Sequence, residues 1–195
     1  TVRLPDGTIH QCPVAPLPAE FDLILQSWDM AFKDTKASDY VVGQVWGRRA
    51  ADKFLIDQVR DRMNFPATLQ AVLDLSARYP DAMTKLVEDK ANGPAVIAAL
   101  QGKIAGLIPV EPMGSKEARA AAASPQVESG NVYLPHPFLA PWVDGFIEEH
   151  AAFNKGSHDD QVDATSQALN RLGNGQDAVP MYFEIQDQHL DLDNP

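Results

Sequence analysis

The sequence predicts an α/β domain in which a mixed β-sheet is flanked by helices. Three apolar runs at residues 21–32, 40–46 and 54–57 are separated by short polar stretches, which is typical of an antiparallel three-strand meander. The chain that follows alternates short apolar runs with segments of helical periodicity. An opening meander followed by alternating helices and strands indicates a sheet covered by helices.

Composition places the chain among globular proteins. With 195 residues, 45% of them hydrophobic and 22% charged, it is long enough to bury a large core. No run approaches the roughly 20 apolar residues of a membrane span, and there is no signal-peptide pattern, so we expect no membrane association. The single cysteine, Cys12, cannot form an internal disulfide, which fits a reducing cytoplasm.

The formal net charge of −11 argues against tight, independent binding of nucleic acid, because such proteins usually present a basic face. It does not exclude a site where carboxylates gather around cations, since bound ions reverse the local sign of the charge.

The predicted organisation has three parts. Residues 1–20 contain four prolines, which deny a helix and favour an extended linker or arm. Residues 21–172 form the folded domain, and residues 173–195 form an acidic tail that we expect to be flexible. The chain begins with Thr1 rather than Met, so we expect it to be part of a longer protein whose upstream domain the arm would join.

The elements after the meander follow from start and stop signals. Pro66 opens a helix that Pro80 ends, Asn92-Gly93-Pro94 open another, and Ser115 is a predicted N-cap. Ser129-Gly130-Asn131, between two apolar pieces, predicts a hairpin. The predicted elements are a helix at 66–79, a strand at 83–90, a helix at 92–102, a strand at 107–110, a helix at 115–123, a hairpin at 127–134, and helices at 141–153 and 158–172.

Acidic residues lie at the ends of three of these elements. Asp29 falls inside the first apolar strand, Glu88 and Asp89 close the fourth strand, and Asp159, Asp160 and Asp163 open the last helix. Each group alone fits a solvated strand end, or acids stabilised by the dipole of a helix N-terminus. Together they can converge on one crevice. Converging carboxylates need a divalent cation to be ionised together, and their hard oxygen ligands suit Mg²⁺ or Mn²⁺.

Six stretches, in order along the chain, resemble the C-terminal nuclease domain of tailed-phage terminase large subunits. They are SWDMAFK (27–33), SDY (38–40), VEDKANG (87–93), GSKEARA (114–120), GNVYLP (130–135) and HDDQVDA (158–164). The resemblance covers residues 21–172. It implies an RNase H-like fold and an endonuclease that cuts concatemeric double-stranded viral DNA in the host cytoplasm by two-metal phosphodiester hydrolysis.

The resemblance also implies roles for individual residues. Asp29, Glu88 and Asp160 would be the catalytic metal-binding carboxylates, with Asp159 and Asp163 as further ligands, and the Asp doublet leaves open which of them reaches the ions. Four other residues are candidates for auxiliary or DNA-contacting roles, although solvated helix faces and helix caps would also explain them. These are His158, Lys116, Arg119 and Lys90.

The partners implied by the resemblance are double-stranded DNA, bound weakly by this acidic chain alone, an upstream ATPase domain of the same subunit, the small terminase subunit and the portal protein. The chain has no Gly-x-x-x-x-Gly-Lys-Ser/Thr phosphate loop, so we expect it to be the nuclease part alone. Two alternatives stay open. One is another RNase H-like nuclease, such as a junction resolvase or a ribonuclease H, and the other is a non-catalytic module of the packaging motor that binds DNA or the portal.

Overall fold

The computed structural model describes residues 14–30, 40–90 and 92–173, and the backbone alone at residues 2–3 and 9–10. Within the predicted arm, strands β1 (Val2–Arg3) and β2 (Ile9–His10) pair antiparallel. The predicted tail after Gly173 lies outside the described residues. None of the helices in the described part is long and apolar enough to cross a membrane.

A mixed six-stranded sheet forms the centre of the domain. Its order is β7-β6-β3-β4-β5-β8; β3, β4 and β5 are an antiparallel meander, and β6, β7 and β8 each join in parallel. The strands are β3 (Leu23–Met30), β4 (Val41–Arg49), β5 (Asp52–Asp61), β6 (Thr84–Glu88), β7 (Leu107–Val110) and β8 (Val132–Tyr133). The prediction of a mixed sheet that opens with a meander is confirmed.

The helices begin where the sequence signals place them. The Asn64 side chain accepts from the Ala67 N–H at 3.1 Å, and the Ser115 hydroxyl oxygen accepts from the Ala118 N–H at 3.2 Å, as expected of N-caps. The helices of the described part are α1 (Phe65–Arg78), α2 (Gly93–Leu100), α3 (Lys116–Glu128), α4 (Val143–Ala151) and α5 (Asp160–Gly173).

The sheet separates two hydrophobic cores. Alternation along β3 sends Trp28 and Met30 toward α1 and α2, where they pack with Val72 and Leu100. The other side of the sheet packs against α3, α4 and α5, through a cluster that contains Leu25, Trp46, Leu86, Ala123, Phe146 and Leu169. Asp29 shares the alternation of Leu25, and therefore lies on the α5 side.

The predicted hairpin at 127–134 is wrong. Helix α3 continues through Glu128, and β8 pairs in parallel with β5 instead of folding back on residue 127. Gly130, at φ +78°, ends the helix, and its N–H donates to the Val127 carbonyl. This is the usual role of a glycine in the left-handed conformation after a helix. The Asn131 carbonyl then accepts from the Lys53 N–H at 2.8 Å, which directs the chain to the sheet edge.

Candidate active site

Asp29 and Glu88 lie side by side at one edge of the sheet. Strands β3 and β6 are parallel, with Trp28 paired to Val87, so the next residues on each strand are Asp29 and Glu88. Neighbouring strands are about 4.8 Å apart. Glu88 is half-buried and Asp29 is only 9% exposed. The parallel pairing thus brings two carboxylates that are distant in sequence to the same end of the sheet.

Helix α5 is fixed across these strand ends by a polar wedge. The Ser27 hydroxyl donates to the Ala164 carbonyl at 2.7 Å, and Gln167 Nε2 donates to Ser27 Oγ at 2.9 Å. The same Gln167 nitrogen lies 3.4 Å from the Trp28 carbonyl oxygen and 3.5 Å from that of Leu86. One amide therefore contacts both strands that carry the acids, and it positions the first turns of α5 beside Asp29.

Asp163 lies in the first turn of α5 and is 5% exposed. Lys116 Nζ is 2.6 Å from its Oδ2, and Arg119 Nη2 donates to its Oδ1 at 2.8 Å. The same lysine nitrogen is 2.7 Å from Asp159 Oδ1. The beginning of α3 is in this way held against the beginning of α5 by ion pairs.

The carboxylates perturb one another. Burial raises the pKa of Asp29 well above its usual range, and Asp163, Glu88 and Asp160 raise it further, while Lys116 opposes them. Burial also raises the pKa of Glu88, and the charge of Asp163 raises it further. Three cations lower it again, namely Arg119, Lys90 and Lys116. Acids that affect one another this strongly share one electrostatic environment. We call Asp29, Glu88, Asp160 and Asp163 the acid cluster.

Asp160 lies on the β4 side of the acid cluster and is 4% exposed. Its Oδ2 accepts from the Tyr40 N–H at 3.4 Å and is 3.8 Å from His158 Nδ1. Asp160 also raises the pKa of Asp29, although less than Asp163 and Glu88 do. Of the acids of α5, Asp163 has the largest effect on the pKa of both strand acids.

The other predicted site residues lie at the border of the cluster. The side chain of Asp159 is 39% exposed and reaches the cluster through Lys116. Lys90 is exposed and acts on Glu88 through its charge. The ring of His158 contacts the Tyr40 ring edge to face, with centroids 5.1 Å apart.

A buried amide relay, which the sequence did not reveal, connects α5 to the meander. Gln44 Nε2 donates to Gln58 Oε1 at 3.0 Å, and Gln58 Nε2 donates to Gln161 Oε1 at 2.8 Å. Gln161 Nε2 then donates to Glu149 Oε2 at 2.6 Å, and Arg60 pairs with the same oxygen at 3.0 Å. The sequence signal for this relay was the presence of Gln44 and Gln58 within neighbouring apolar strands, because a buried amide needs hydrogen-bond partners.

The chemistry of the acid cluster fits a hard divalent cation, because carboxylate oxygens are the ligands that such ions prefer. Within the described ranges 14–30, 40–90 and 92–173, however, no group of three or more His, Cys, Asp or Glu side chains is arranged closely enough to hold a metal ion. Lys116 instead supplies positive charge to Asp159 and Asp163. A cation that entered the cluster would compete with this ammonium group for the same carboxylates.

Comparison with known proteins points to one family. The sequence profile described as the Terminase RNaseH-like domain matches residues 26–172. A search of curated proteins finds no match.

Solved structures share the fold at low sequence identity. The large terminase nuclease of thermophilic phage G20c with bound zinc is 19% identical, with a TM-score of 0.59, and the match covers 76% of this chain and 81% of that one. The SPP1 large terminase nuclease domain with bound manganese is 16% identical, with a TM-score of 0.54, covering 78% and 88%. The large terminase of phage D6E is 12% identical, with a TM-score of 0.61; the match covers 82% of this chain but only 42% of that one.

Proposed function

The chain belongs to the Terminase RNaseH-like domain family, and on that premise we propose that it is the metal-dependent endonuclease domain of a phage DNA-packaging terminase large subunit. Its substrate would be concatemeric double-stranded DNA. The observation that carries the proposal is the acid cluster, in which Asp29 is buried beside Glu88, Asp160 and Asp163 and its pKa is raised by burial first and then by their charges. Burying several carboxylates together is costly unless positive charge offsets them, so such a cluster indicates a site built for a cation.

Asp29, Glu88, Asp160 and Asp163 would hold Mg²⁺ or Mn²⁺, with two ions as the working hypothesis and Asp159 at the border. Bound divalent ions supply activation of water and stabilisation of the leaving oxygen of the phosphodiester. Related nuclease structures contain zinc in G20c, magnesium in G20c and manganese in SPP1, which supports a divalent metal here.

The chain's own residues would orient and neutralise the reacting groups. The wedge formed by Ser27 and Gln167 fixes α5 relative to both acid-bearing strands, so the carboxylates are positioned before substrate arrives. Lys116 and Arg119, which are paired with Asp163, offset charge when no metal is present and would be available to phosphate oxygens when a metal takes their place at Asp163. Hydrolysis would leave a 3′-hydroxyl and a 5′-phosphate.

The proposed partners follow from the acidic character of the chain. With a net charge of −11, the domain alone would release few counterions on binding and would hold DNA weakly. We therefore propose that an ATPase domain of the same subunit, the small terminase subunit and the portal hold the substrate in place during packaging in the host cytoplasm. The D6E large terminase, of which this chain matches 42%, has been solved with ADP, which fits a nucleotide-binding part elsewhere in such subunits.

Nicking of supercoiled plasmid tests the proposal. Wild-type protein should nick in Mg²⁺ or Mn²⁺ and not in EDTA, whereas Asp29→Asn and Glu88→Gln should lose roughly 100-fold or more in rate. Asp74→Asn makes the same chemical change on an exposed position of α1 and should cut like the wild type. Equal cutting by wild type and Asp29→Asn, or no cutting in any divalent metal, would contradict the proposal.

The same assay separates the other nuclease classes. Linear duplex, four-way junction and RNA–DNA hybrid are compared at equal concentration. A terminase nuclease should cut the duplex without requiring a junction or an RNA strand, while a resolvase would prefer the junction and a ribonuclease H would prefer the hybrid.

A further inference from the structure

A cationic aromatic platform flanks the acid cluster. The guanidinium carbons of Arg60 and Arg62 lie 3.7 Å and 4.9 Å from the centroid of the Tyr40 ring. The ring of His158 contacts the same ring edge to face, at an interplanar angle of 78°. We call Tyr40, Arg60, Arg62 and His158 the Tyr40 platform.

The sheet register places this platform next to the acids. Val42 on β4 pairs with Asp29 on one side and with Arg60 on the other, so Arg60 is two strands away from Asp29 in the same row. Two strand spacings are about 10 Å, which corresponds to the rise of roughly three nucleotides along one DNA strand. The backbone N–H of Tyr40 also donates to Asp160, which links the platform to the acid cluster.

The two arginines differ in how their charge is compensated. Arg60 is paired with Glu149 at 3.0 Å, and its side chain is 28% exposed. Arg62 is exposed, and in the part of the chain that the structure describes no carboxylate lies within salt-bridge distance of it. Lys116 and Arg119 are both engaged by Asp163. Among the described residues, Arg62 is therefore an exposed cation on the Tyr40 platform whose charge no carboxylate offsets.

Two guanidinium groups on one aromatic ring repel each other, and the electron-rich face of the ring offsets only part of that repulsion. A bound anion would offset more of it. The planar fork of an arginine matches the oxygens of a phosphate, and a stacked guanidinium keeps its N–H groups free to donate in the plane. His158 Nδ1, which is buried without a hydrogen-bond partner among the described residues, adds another polar atom beside the ring.

We propose that Arg62, braced on Tyr40, binds a backbone phosphate of the DNA strand that flanks the phosphodiester held at the acid cluster. The proposal rests on the proposed nuclease function, because it takes the DNA strand to lie across the acid cluster. It adds a phosphate-binding position on the β5 side of the site and identifies Tyr40 as the residue that positions the guanidinium.

Binding of a labelled duplex, followed by fluorescence anisotropy over a series of salt concentrations, tests the proposal. All proteins carry Asp29→Asn so that binding is measured without cutting. Adding Arg62→Gln should weaken binding about tenfold at low salt and should reduce the slope of log affinity against log salt by about 0.9, the value expected for one lost phosphate contact. Arg49→Gln is the matched control, since Arg49 is exposed at the far end of β4, and it should leave the slope unchanged.

Substitutions of Tyr40 separate the platform from a lone arginine. Tyr40→Phe keeps the ring and should bind DNA like the background protein. Tyr40→Leu removes the ring and should lower the logarithm of the DNA affinity by about half as much as Arg62→Gln does. Thermal melting verifies that each variant is folded.

The proposal is overturned if Arg62→Gln leaves the slope unchanged, if Arg49→Gln loses as much affinity, or if the background protein binds no DNA at 50 mM salt. These outcomes are independent of plasmid nicking by the wild type, so a failure of the platform and a failure of the nuclease proposal give different results.

Discussion

Asp163 in the first turn of α5 acts on Asp29 at the end of β3: after burial itself, the carboxylate of Asp163 is the largest cause of the raised pKa of Asp29. Asp163 is also the largest charge effect on Glu88. A single acid of α5 thus acts on the acids of both parallel strands, while Lys116 and Arg119 hold it in place.

Replacing Asp29 should stabilise the metal-free protein. The folded state raises the pKa of this acid, so the folded protein holds the proton more tightly than the unfolded chain does. The resulting contribution to folding stability is complete below the ordinary pKa near 3.9 and is lost as the pH rises through the folded pKa. At neutral pH, where the unfolded chain ionises this acid, the raised pKa in the folded state therefore opposes folding. Asp29→Asn should melt a few degrees higher than the wild type in EDTA, by about 2–4 °C for each kcal/mol gained.

Added Mn²⁺ should reverse that order of stability, because a cation stabilises a protein only if it binds the folded state. The melting temperature of the wild type should rise with Mn²⁺, and that of Asp29→Asn should rise less. A wild type that melts above Asp29→Asn in EDTA would show that the acid is stabilised by something other than a metal.

Asp163 and Asp160 should differ in their effect on metal binding. Asp163 is the largest charge effect on both Asp29 and Glu88, whereas Asp160 affects Asp29 less than Asp163 does, so we expect Asp163→Asn to weaken Mn²⁺ binding roughly 100-fold and Asp160→Asn roughly tenfold. Titration calorimetry with Mn²⁺ measures both. A larger loss for Asp160→Asn would assign the shared position to the second Asp of the doublet.

Removing the charge of Lys116 should strengthen metal binding. Its ammonium group lies 2.6 Å from Asp163 Oδ2 and 2.7 Å from Asp159 Oδ1, so a metal at these carboxylates must displace it. Lys116→Gln should bind Mn²⁺ several-fold more tightly by calorimetry. Lys103→Gln, at an exposed position between α2 and β7, removes the same charge and serves as the control. Weaker Mn²⁺ binding by Lys116→Gln would mean that the lysine organises the ligands rather than competing with the ion.

His150 should make stability depend on pH. Burial lowers its pKa, although its Nδ1–H donates to the Phe146 carbonyl at 2.8 Å and Glu149 lies nearby. Below the ordinary value of about 6.5 the unfolded chain takes up a proton that the folded protein excludes, so stability falls as the pH falls. Urea unfolding of wild type and His150→Phe from pH 7.5 to 5.5 measures this. As the pH falls to 5.5, the free energy of unfolding of the wild type should fall relative to that of His150→Phe. A difference in free energy that stays constant with pH would contradict the prediction.

Local signals predicted the fold well where a single residue decides the backbone. Pro66 and the Ser115 cap mark helix starts because their effects act within one turn. The hairpin predicted around Gly130 is wrong because a glycine between two apolar segments is compatible with both a hairpin turn and the end of a helix. The helix end is favoured because Asn131 forms hydrogen bonds with Asp52 and Lys53 of β5, which lie far from it in sequence.

The site was less predictable than the fold because its contacts join distant elements. The acidic ends of strands predicted Asp29 and Glu88 as site residues. The ion pair between Arg119 and Asp163 joins residues 44 positions apart, and the local sequence around each of them does not indicate the other. Gln167 looks like an ordinary polar helix residue until β3 and β6 are placed beneath it. Long-range packing, which a local pattern does not contain, determines these partners.

A crystal of the chain soaked in Mn²⁺ tests the central claim most directly, because the anomalous signal of manganese identifies the ligands without relying on activity. The account predicts manganese bound between β3, β6 and α5, with oxygens of Asp29, Glu88 and Asp163 among its ligands and Lys116 moved away from Asp163. Saturating Mn²⁺ with no ion at these carboxylates, or with ions bound only elsewhere, would contradict it.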